Sequence, residues 1–166
     1  MRATRRPQSG IRRIVHPSDF SPASTPALQK AVEAARAYGA DLLLVHVLPA
    51  LPMSPAGLMT AEAWTQLLAD QRAVAERLLG RLVAKARRAG ARATGKVMEV
   101  GVTHEQIVRV ARRRRAGLIV MGTHGRTGLQ RALLGSVAAR VIATAPCAVM
   151  TVHPRARRRP RLAPAA

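Results

Sequence analysis

The sequence predicts an α/β fold in a single domain, with a five-stranded parallel sheet covered by helices on both faces. The chain has 166 residues, 48% of them hydrophobic, which suits one domain with one core. Short apolar runs alternate with longer amphipathic runs in the order β-α-β-α-β-α-β-α-β. Connections of ten residues or more between strands are typical of parallel sheets with right-handed crossovers. In such sheets, ligands bind beyond the carboxyl ends of the strands, where the winding reverses.

The first strand and helix are predicted within residues 11–39. The strand covers 11–16 and ends in a polar loop. The helix begins at Ser21-Pro22 or at Thr25-Pro26, because each pair fits an N-cap followed by proline in the first helical position. Gly39 then suits the left-handed residue that ends a helix.

The second strand and helix follow, separated by a proline-rich loop at 49–59. The strand at 42–48 is apolar almost throughout, which predicts burial on both faces of the sheet. The longest helix begins at Thr60 or Ala61 and ends near Gly90. Its apolar spacing predicts these core positions: Leu67, Val74, Leu78 and Leu82.

The remaining elements are three strands and two helices. A strand of mixed polarity at 94–100 is expected at a sheet edge. A capping box, Thr103-x-x-Gln106, opens a helix that ends at Arg115. The last three elements are a strand at 118–121, a helix at 137–143 and a strand at 147–153.

The most distinctive stretch is 117–136, which reads GLIVMGTHGRTGLQRALLGS. Its short apolar run predicts a buried strand, and glycines then allow a backbone or a ligand to come close. Ser136 can cap the first turn of the next helix, whose free N–H groups carry a partial positive charge. Strand, glycine-rich turn and helix N-terminus together predict a phosphate site. The glycines that follow the apolar run are Gly122, Gly125, Gly128 and Gly135.

The spacing Gly122-x2-Gly125-x9-Gly135-Ser136 resembles the nucleotide-binding signature of the universal stress protein family. It is neither a Walker A loop nor the dinucleotide GxGxxG motif. The segments IVHPSDFS after strand one and LLLVHV in strand two extend the resemblance over 11–153. The resemblance implies an adenine nucleotide alpha hydrolase-like fold with strand order 3-2-1-4-5, so the loops after strands one and four meet at one crevice. Residues 1–10 and 154–166 then form basic, disordered tails.

The resemblance implies an ATP site, with Mg²⁺ or Mn²⁺ carried by the triphosphate. Asp19 is expected to contact the nucleoside, and a backbone group of Val47 to meet the adenine. Gly122, Gly125 and Gly135 are expected to hold the ribose and the phosphates together with two residues that open the helix, Ser136 and Val137. The expected binding set is completed by Pro17, Ser18, Met121, His124 and Arg126.

Several of these side chains have a second interpretation from the residues alone. Asp19 can instead cap the first helix through its carboxylate. Arg126 can pair with outer phosphates or remain solvated, and His124 can pack within its loop. His16 and His46 are interpreted as core-edge histidines whose hydrogen bonds are satisfied.

The net charge of +20 suggests a second class of partner. Ten arginines lie within 1–13 and 155–161. They can attract polyanions, or they can simply be solvated residues at frayed chain ends. We expect an adenine nucleotide and a homodimer paired through strand 147–153, an apolar edge at which family members commonly dimerise. Nucleic acid bound by the arginine-rich tails is an alternative, although no aromatic residues accompany them.

Other functional classes are disfavoured by what the sequence lacks. No apolar run approaches the eighteen residues of a membrane span, and the single Cys147 fits a reducing cytoplasm. No cluster has metal-ligand spacing. Without an evident general base, the chain is expected to be a nucleotide-dependent regulatory module of the stress response with slow or no hydrolysis. A weak ATPase or nucleotide-processing enzyme is the alternative, and the signal, the protein partners and the choice among ATP, AMP and cyclic nucleotides stay open.

Overall fold

The computed structural model describes residues 10–49, 60–98, 100–123 and 134–153. Within these ranges five strands and four helices alternate, and a short 3₁₀ turn, Pro22–Ser24, precedes the first helix. The elements are β1 (Arg13–Pro17), α1 (Thr25–Tyr38), β2 (Asp41–Val47), α2 (Ala61–Arg88), β3 (Arg92–Met98), α3 (Thr103–Arg113), β4 (Leu118–Gly122), α4 (Ser136–Thr144) and β5 (Ala148–Val152).

The strands form one parallel sheet in the order β3-β2-β1-β4-β5. The predicted fold class and strand order are therefore confirmed. Because β1 lies between β2 and β4, the chain winds outward in both directions from the centre of the sheet. The loops after β1 and β4 leave the sheet side by side, at the reversal point where doubly wound sheets bind ligands.

Helices cover both faces of the sheet. On one face, α1 and α2 pack over a core that includes Ile14, Leu42 and Leu44. On the other face, α3 and α4 pack over a core that includes Val15 and Ile119. Successive residues of the central strands point to opposite faces, which is why these strands are apolar almost throughout.

The first helix begins next to the later of its two predicted starts, with Ser24 rather than Thr25 as its N-cap. The 3₁₀ turn after Ser21 leads into α1 at Thr25, with Pro26 in its first turn. Gly39 ends the helix with φ +61°, a left-handed conformation that glycine adopts at little cost. The prediction for Gly39 is confirmed.

The predicted core face of α2 is wrong at Leu67 and Val74, whose exposed fractions are 39% and 45%. A helix of 28 residues is about 42 Å long, whereas a strand of seven residues spans about 23 Å. The first half of α2 therefore extends past the sheet. The fully buried residues of α2 are Ala75, Leu79 and Ala86. At Gly95 of β3, an added Cβ would lie 2.9 Å from Val83 Cγ2, so glycine allows α2 to pack closely there.

The predicted capping box of α3 is also wrong. Val102 is the N-cap and Thr103 is already the first helical residue, without a side-chain cap hydrogen bond. Gln106 is buried instead of reaching back to the cap. Its amide nitrogen lies where a Cβ on Gly101 would come within 2.6 Å, so Gly101 makes room for the Gln106 side chain.

Strand boundaries differ from the prediction by one or two residues. β1 begins at Arg13 rather than Ile11, and β3 begins at Arg92 rather than Thr94. The position of β3 at an edge of the sheet is confirmed. Among the described residues, no helix combines the length and hydropathy that crossing a membrane requires.

Candidate functional site

The site predicted from the sequence falls at one edge of the sheet. We call this the carboxyl edge, where β1, β2 and β4 end at Pro17, Val47 and Gly122. β1 and β4 are paired in register, Ile14 with Leu118 and Val15 with Ile119. The residues that follow these two strands therefore emerge next to each other.

Ser18 fixes the loop after β1 to the neighbouring strand β2. Its backbone N–H donates to Val45 O at 2.9 Å, and its backbone oxygen accepts a hydrogen bond from His46 Nδ1 at 2.8 Å. The Ser18 hydroxyl accepts from the backbone N–H of Phe20 at 3.2 Å. These three hydrogen bonds hold the loop rigidly. The loop therefore positions the side chain of Asp19, which lies between Ser18 and Phe20.

Phe20 holds an uncommon backbone conformation in the same loop. Its φ is +64°, a left-handed value that costs a residue with a side chain roughly 1–2 kcal/mol. The ring stacks on His46, with centroids 4.2 Å apart and planes inclined by 27°. The interpretation of His46 as a satisfied core-edge histidine is confirmed, since it bonds Ser18 O and packs against Phe20.

Asp19 divides its two carboxylate oxygens between different roles. Oδ1 accepts from the backbone N–H of Ser21 at 3.0 Å and from its hydroxyl at 2.7 Å. This is an Asx turn that precedes the 3₁₀ turn, and the alternative of a cap on the first helix is wrong, because the N-caps Ser21 and Ser24 mark starts without a side-chain cap hydrogen bond. The other oxygen, Oδ2, is buried and has no hydrogen-bond partner among the described residues. A buried acceptor without a donor is destabilising, so Oδ2 is positioned to accept a hydrogen bond from a ligand.

The chain that leaves β4 returns to the same point. Thr123 donates its N–H to Val152 O at 3.1 Å, and its own carbonyl accepts from Gly135 N–H at 2.8 Å. Gly135 directly precedes α4. The start of α4 is therefore fixed beside the end of β4, at the carboxyl edge. Four residues of the predicted phosphate loop, His124, Gly125, Arg126 and Gly128, lie outside the described residues.

The N-terminus of α4 is not capped by a side chain. Its N-cap is Gly135, and Ser136 is the first helical residue, so the predicted cap by Ser136 is wrong. A glycine N-cap offers no acceptor to the first turn, and that turn contains no acidic residue. The early N–H groups lack intrahelical acceptors and carry a partial positive charge. Ser136 itself is exposed, so its hydroxyl is accessible at the same place.

Nine of the twelve predicted site residues are described, and all nine lie at the carboxyl edge. Pro17, Ser18 and Asp19 follow β1, and Val47 ends β2. Met121 and Gly122 end β4, and the start of α4 supplies the rest. The side chains of Val47 and Met121 belong to the core under α3 and α4. These two residues can therefore contribute their backbone to a ligand, but not their side chains.

His16 lies just below this edge in β1 and is fully buried. Its Nδ1 is 2.8 Å from Val120 O, while Nε2 is buried without a partner. Burial lowers the pKa of His16 from 6.5 to about 4, so the ring is neutral at pH 7. Since a carbonyl oxygen only accepts, Nδ1 carries the proton. The prediction of a satisfied histidine holds for Nδ1 and is wrong for Nε2.

The sequence analysis missed a polar pair beside the predicted phosphate loop. Thr123 Oγ1 lies 2.9 Å from His153 Nδ1. The two residues directly follow β4 and β5, whose last residues, Gly122 and Val152, are partners in register. The predicted pairing of β4 with β5 could have indicated this pair, because each residue directly follows its strand.

Metal-ligating residues do not gather in the part of the chain that the structure describes. No group of three or more His, Cys, Asp or Glu side chains there is arranged to hold a metal ion. Cys147 is a free, partly buried thiol, and burial raises its pKa.

Comparison with known proteins gives consistent matches over most of the chain. The model of the universal stress protein family matches residues 10–153. A universal stress protein of Methanocaldococcus jannaschii is 35% identical over 141 residues, which are 85% of this chain and 81% of that protein.

Solved structures match with the same coverage. A universal stress protein family member from Burkholderia pseudomallei has a TM-score of 0.71 at 29% identity, covering 89% of this chain and 99% of that one. A universal stress protein in complex with cAMP has a TM-score of 0.66 at 26% identity, covering 88% and 99%. An Archaeoglobus fulgidus universal stress protein in complex with dAMP has a TM-score of 0.58 at 25% identity, covering 85% and 96%.

Proposed function

Because the chain belongs to the universal stress protein family, we propose that it binds ATP at the carboxyl edge and acts as a nucleotide-dependent regulatory module of the stress response. The observation that carries this proposal is Asp19 Oδ2, a buried carboxylate oxygen without a donor, held beside the point where the winding reverses. Nucleosides offer the hydroxyl and amine donors that such an oxygen requires.

The nucleoside is proposed to occupy the space next to the loop after β1. A ribose hydroxyl or an adenine amine donates to Asp19 Oδ2, while Oδ1 keeps the turn to Ser21. The backbone at the end of β2, around Val47, is proposed to meet the adenine edge. Ser18 supports this arrangement through its bonds to β2 rather than by touching the ligand.

The phosphates are proposed to lie against the start of α4. Its uncapped N–H groups favour anions, and the exposed Ser136 hydroxyl adds a donor. Gly122 and Gly125 are proposed to let the backbone approach the phosphates, and Arg126 to pair with the outermost one. His124 and Val137 complete the proposed set.

Two structural neighbours carry adenine monophosphates, cAMP in one and dAMP in the other. These ligands support adenine nucleotide binding in this chain, and the glycine spacing supports a triphosphate. The described residues contain no carboxylate cluster for a divalent ion, so Mg²⁺ or Mn²⁺ is proposed to be bound through the triphosphate oxygens and water.

Calorimetric titration of the full chain tests this proposal. We expect ATP and AMP to bind with one site per chain and GTP to bind at least about tenfold more weakly, about 1.4 kcal/mol. Equal binding of GTP and ATP would contradict an adenine site. If none of these nucleotides binds, the proposal as a whole is contradicted.

A second candidate function is nucleotide processing, and the Thr123–His153 pair favours it. An imidazole 2.9 Å from a hydroxyl, next to a phosphate site, could accept a proton during phosphoryl transfer. Release of ADP or AMP at about one per second or faster would be typical of an enzyme. Slower release would favour the regulatory function.

Two further features of the functional unit are proposed from the same sequence patterns. Among the described strands, β5 lies at the end of the sheet and pairs with β4 alone, so its other side is proposed to pair with a second copy of the chain. The cytoplasm is the proposed compartment, where the one cysteine, Cys147, would remain a thiol.

A further inference from the structure

The edge of the sheet opposite the proposed nucleotide site carries a dense group of arginines. Parallel strands begin there and the helices end there, so residues distant in sequence come together. The register places Arg13, Asp41 and Arg92 in one row across β1, β2 and β3. We call the following exposed residues the amino-edge face: Arg12, Arg13, Arg36, Arg87, Arg88, Arg92, Arg112, Arg113, Arg114 and Arg115.

Hydrogen bonds confirm that these segments meet at one edge. Arg13 Nη1 donates to Arg114 O at 2.7 Å, which joins the start of β1 to the end of α3. Arg92 donates to Gly39 O at 2.6 Å, which joins the start of β3 to the end of α1. The ten arginines therefore form one surface that spans both helical layers.

The charge of this surface is almost uncompensated. Asp41 is the one carboxylate that the described residues place there, and it forms an ion pair with Arg92 at 2.8 Å. Ten arginines and one aspartate give the amino-edge face a net formal charge of +9, nearly half of the chain's +20. The other described carboxylates lie along the helices or toward the carboxyl edge.

Only some of these arginines form hydrogen bonds or ion pairs within the protein. Arg13, Arg87 and Arg92 donate to backbone carbonyls or to Asp41. The remaining seven side chains have no hydrogen-bond or ion-pair partner in the described ranges. Cations near a helix C-terminus interact favourably with its dipole, but this effect does not reach Arg12 at the start of β1.

We propose that the amino-edge face binds the phosphodiester backbone of nucleic acid without sequence preference. Guanidinium groups bind phosphate through paired hydrogen bonds, and neutralising several phosphates releases counterions. This surface is separate from the nucleotide crevice, which lies at the other end of the strands.

The dimensions of the face suit a duplex. The helical layers on the two sides of the sheet are separated by roughly 20 Å, taking about 10 Å for each packed layer. A duplex presents one negative charge per about 1.7 Å of its axis. Over roughly 20 Å a duplex carries about 12 phosphates, and those on its near side can pair with several of the arginines at once.

The same face is poorly suited to a membrane surface. Interfacial binding combines basic residues with apolar side chains that enter the lipid. At the ends of the described elements that carry these arginines, Tyr38 is the one exposed large hydrophobic residue, at 39%. One tyrosine offers too little apolar surface to enter a lipid layer.

Fluorescence anisotropy with a labelled mixed-sequence DNA duplex of roughly 20 base pairs tests the proposal on the full chain. The edge variant combines Arg88→Gln, Arg112→Gln and Arg113→Gln. A matched control removes the same charge from the body of α2, with Arg72→Gln, Arg77→Gln and Arg81→Gln. Both variants keep the arginine-rich tails and use glutamine, a good helix former. Circular dichroism establishes that each is folded.

We expect the parent to bind the duplex and its affinity to fall steeply with salt between about 50 and 200 mM. The edge variant should bind at least about tenfold more weakly, and the slope of log affinity against log salt should decrease by about 2 to 3, since each lost phosphate contact contributes about 0.9. The control should change affinity less than about threefold.

Four results would overturn the proposal, three of them in the duplex assay. One is a parent that does not bind the duplex, and another is an edge variant that binds like the parent. The third is an equal loss in the control, which would mean that total charge rather than this face determines binding. Vesicles containing phosphatidylserine serve as the second probe. Binding to them that is tighter than duplex binding and is lost in the edge variant would assign the face to membranes and also contradict the proposal.

Discussion

At the scale of single residues, Asp19 combines a structural role with a proposed binding role. Oδ1 holds the turn to Ser21, while Oδ2 is buried without a donor. Asparagine at this position can keep the turn through its carbonyl oxygen and would place an NH₂ group where Oδ2 lies. The two functions of the side chain can thus be changed separately.

We predict that Asp19→Asn and Asp19→Ala each weaken ATP binding about 10- to 100-fold, because a hydrogen bond to a charged group contributes roughly 1.5–3 kcal/mol. Calorimetric titration measures the change. Asp41→Ala, which removes a carboxylate at the opposite edge, is the control and should bind ATP like the parent. Parent-like affinity in Asp19→Asn would restrict Asp19 to its structural role in the turn to Ser21.

His16 gives a prediction about stability and pH. Burial lowers its pKa in the folded protein to about 4, against 6.5 for the free side chain. Between these values the unfolded chain binds a proton that the folded protein does not, so stability is complete above pH 6.5 and decreases as pH falls toward 4. The full effect is on the order of 3 kcal/mol.

Urea unfolding at pH 7, 5.5 and 4.5 measures this dependence. His16→Asn keeps a donor that can bond Val120 O and removes the titrating ring. The variant should be less stable than the parent at pH 7 and should lose less stability between pH 7 and 4.5. Parallel profiles for the two proteins would show that the acid sensitivity has another source.

At the scale of elements, the start of α4 leads to a prediction about the size of the side chain at Gly135. Gly135 has φ −58° and ψ 149°, values that any residue adopts, so the backbone does not require glycine there. A valine would nevertheless place a branched side chain beside the N–H groups proposed to bind phosphate. We predict that Gly135→Val abolishes measurable ATP binding while the protein remains folded by circular dichroism.

Ser136→Ala is the milder change at the same helix start. It removes one neutral hydroxyl donor, which contributes roughly 0.5–1.5 kcal/mol, so affinity should fall about 2- to 12-fold. Calorimetry on both variants gives the ranking. A folded Gly135→Val protein with affinity equal to that of Ser136→Ala would contradict phosphate binding at this helix.

The unpaired side of β5 gives a second prediction for an element. The carbonyl of Val152 points toward β4, since it accepts from Thr123. Backbone groups alternate sides along a strand, so those of Met150 also face β4 and those of Val149 face the free edge. We predict that Val149→Pro weakens the proposed homodimer with little effect on the fold, because it removes a free-edge donor.

Met150→Pro should instead destabilise the sheet, since its N–H faces β4. Light scattering at micromolar concentration measures assembly, and thermal unfolding measures the fold. A parent protein that is monomeric at this concentration would contradict the dimer.

At the scale of the whole molecule, the terminal segments 1–9 and 156–166 are predicted to be dispensable for the fold and for the nucleotide. Neither carries an apolar pattern that could dock on the body. Deleting both should shift the melting temperature by no more than a few degrees, where 1 kcal/mol corresponds to about 2–8 °C, and should leave ATP affinity unchanged. A larger shift would show that one segment packs against the domain.

The alternation of short and long elements predicted a parallel sheet with helices on both faces, because such elements admit few arrangements. The strand order was predicted from the resemblance to the family. The prediction failed where a local sequence pattern is compatible with two structures. The apolar spacing of α2 continues past the end of the sheet, so Leu67 and Val74 match the pattern but have no sheet to cover. At Thr103 and Ser136, a hydroxyl near a helix start suggested a cap, and a shift of one residue placed each inside its helix.

The Thr123–His153 pair and the amino-edge face could not be predicted from single segments. Each depends on strand order and register, which bring together residues separated by 30 to more than 100 positions, as in the bond from Arg13 to Arg114. The site residues that were predicted, by contrast, came from contiguous motifs. Asp19 was identified in this way, but only the structure shows that its two carboxylate oxygens differ in hydrogen bonding.

The central claim is that an adenine nucleotide binds between the ends of β1 and β4, and amide chemical shifts test this location directly. A chain of 17.8 kDa gives well-resolved ¹H–¹⁵N spectra. On addition of ATP, the largest shift changes should be at Ser18–Phe20, Val47, Gly122 and Gly135–Val137, with small changes at the amino-edge face. Changes centred on Arg12, Arg92 and Arg112–Arg115 instead would contradict the claim.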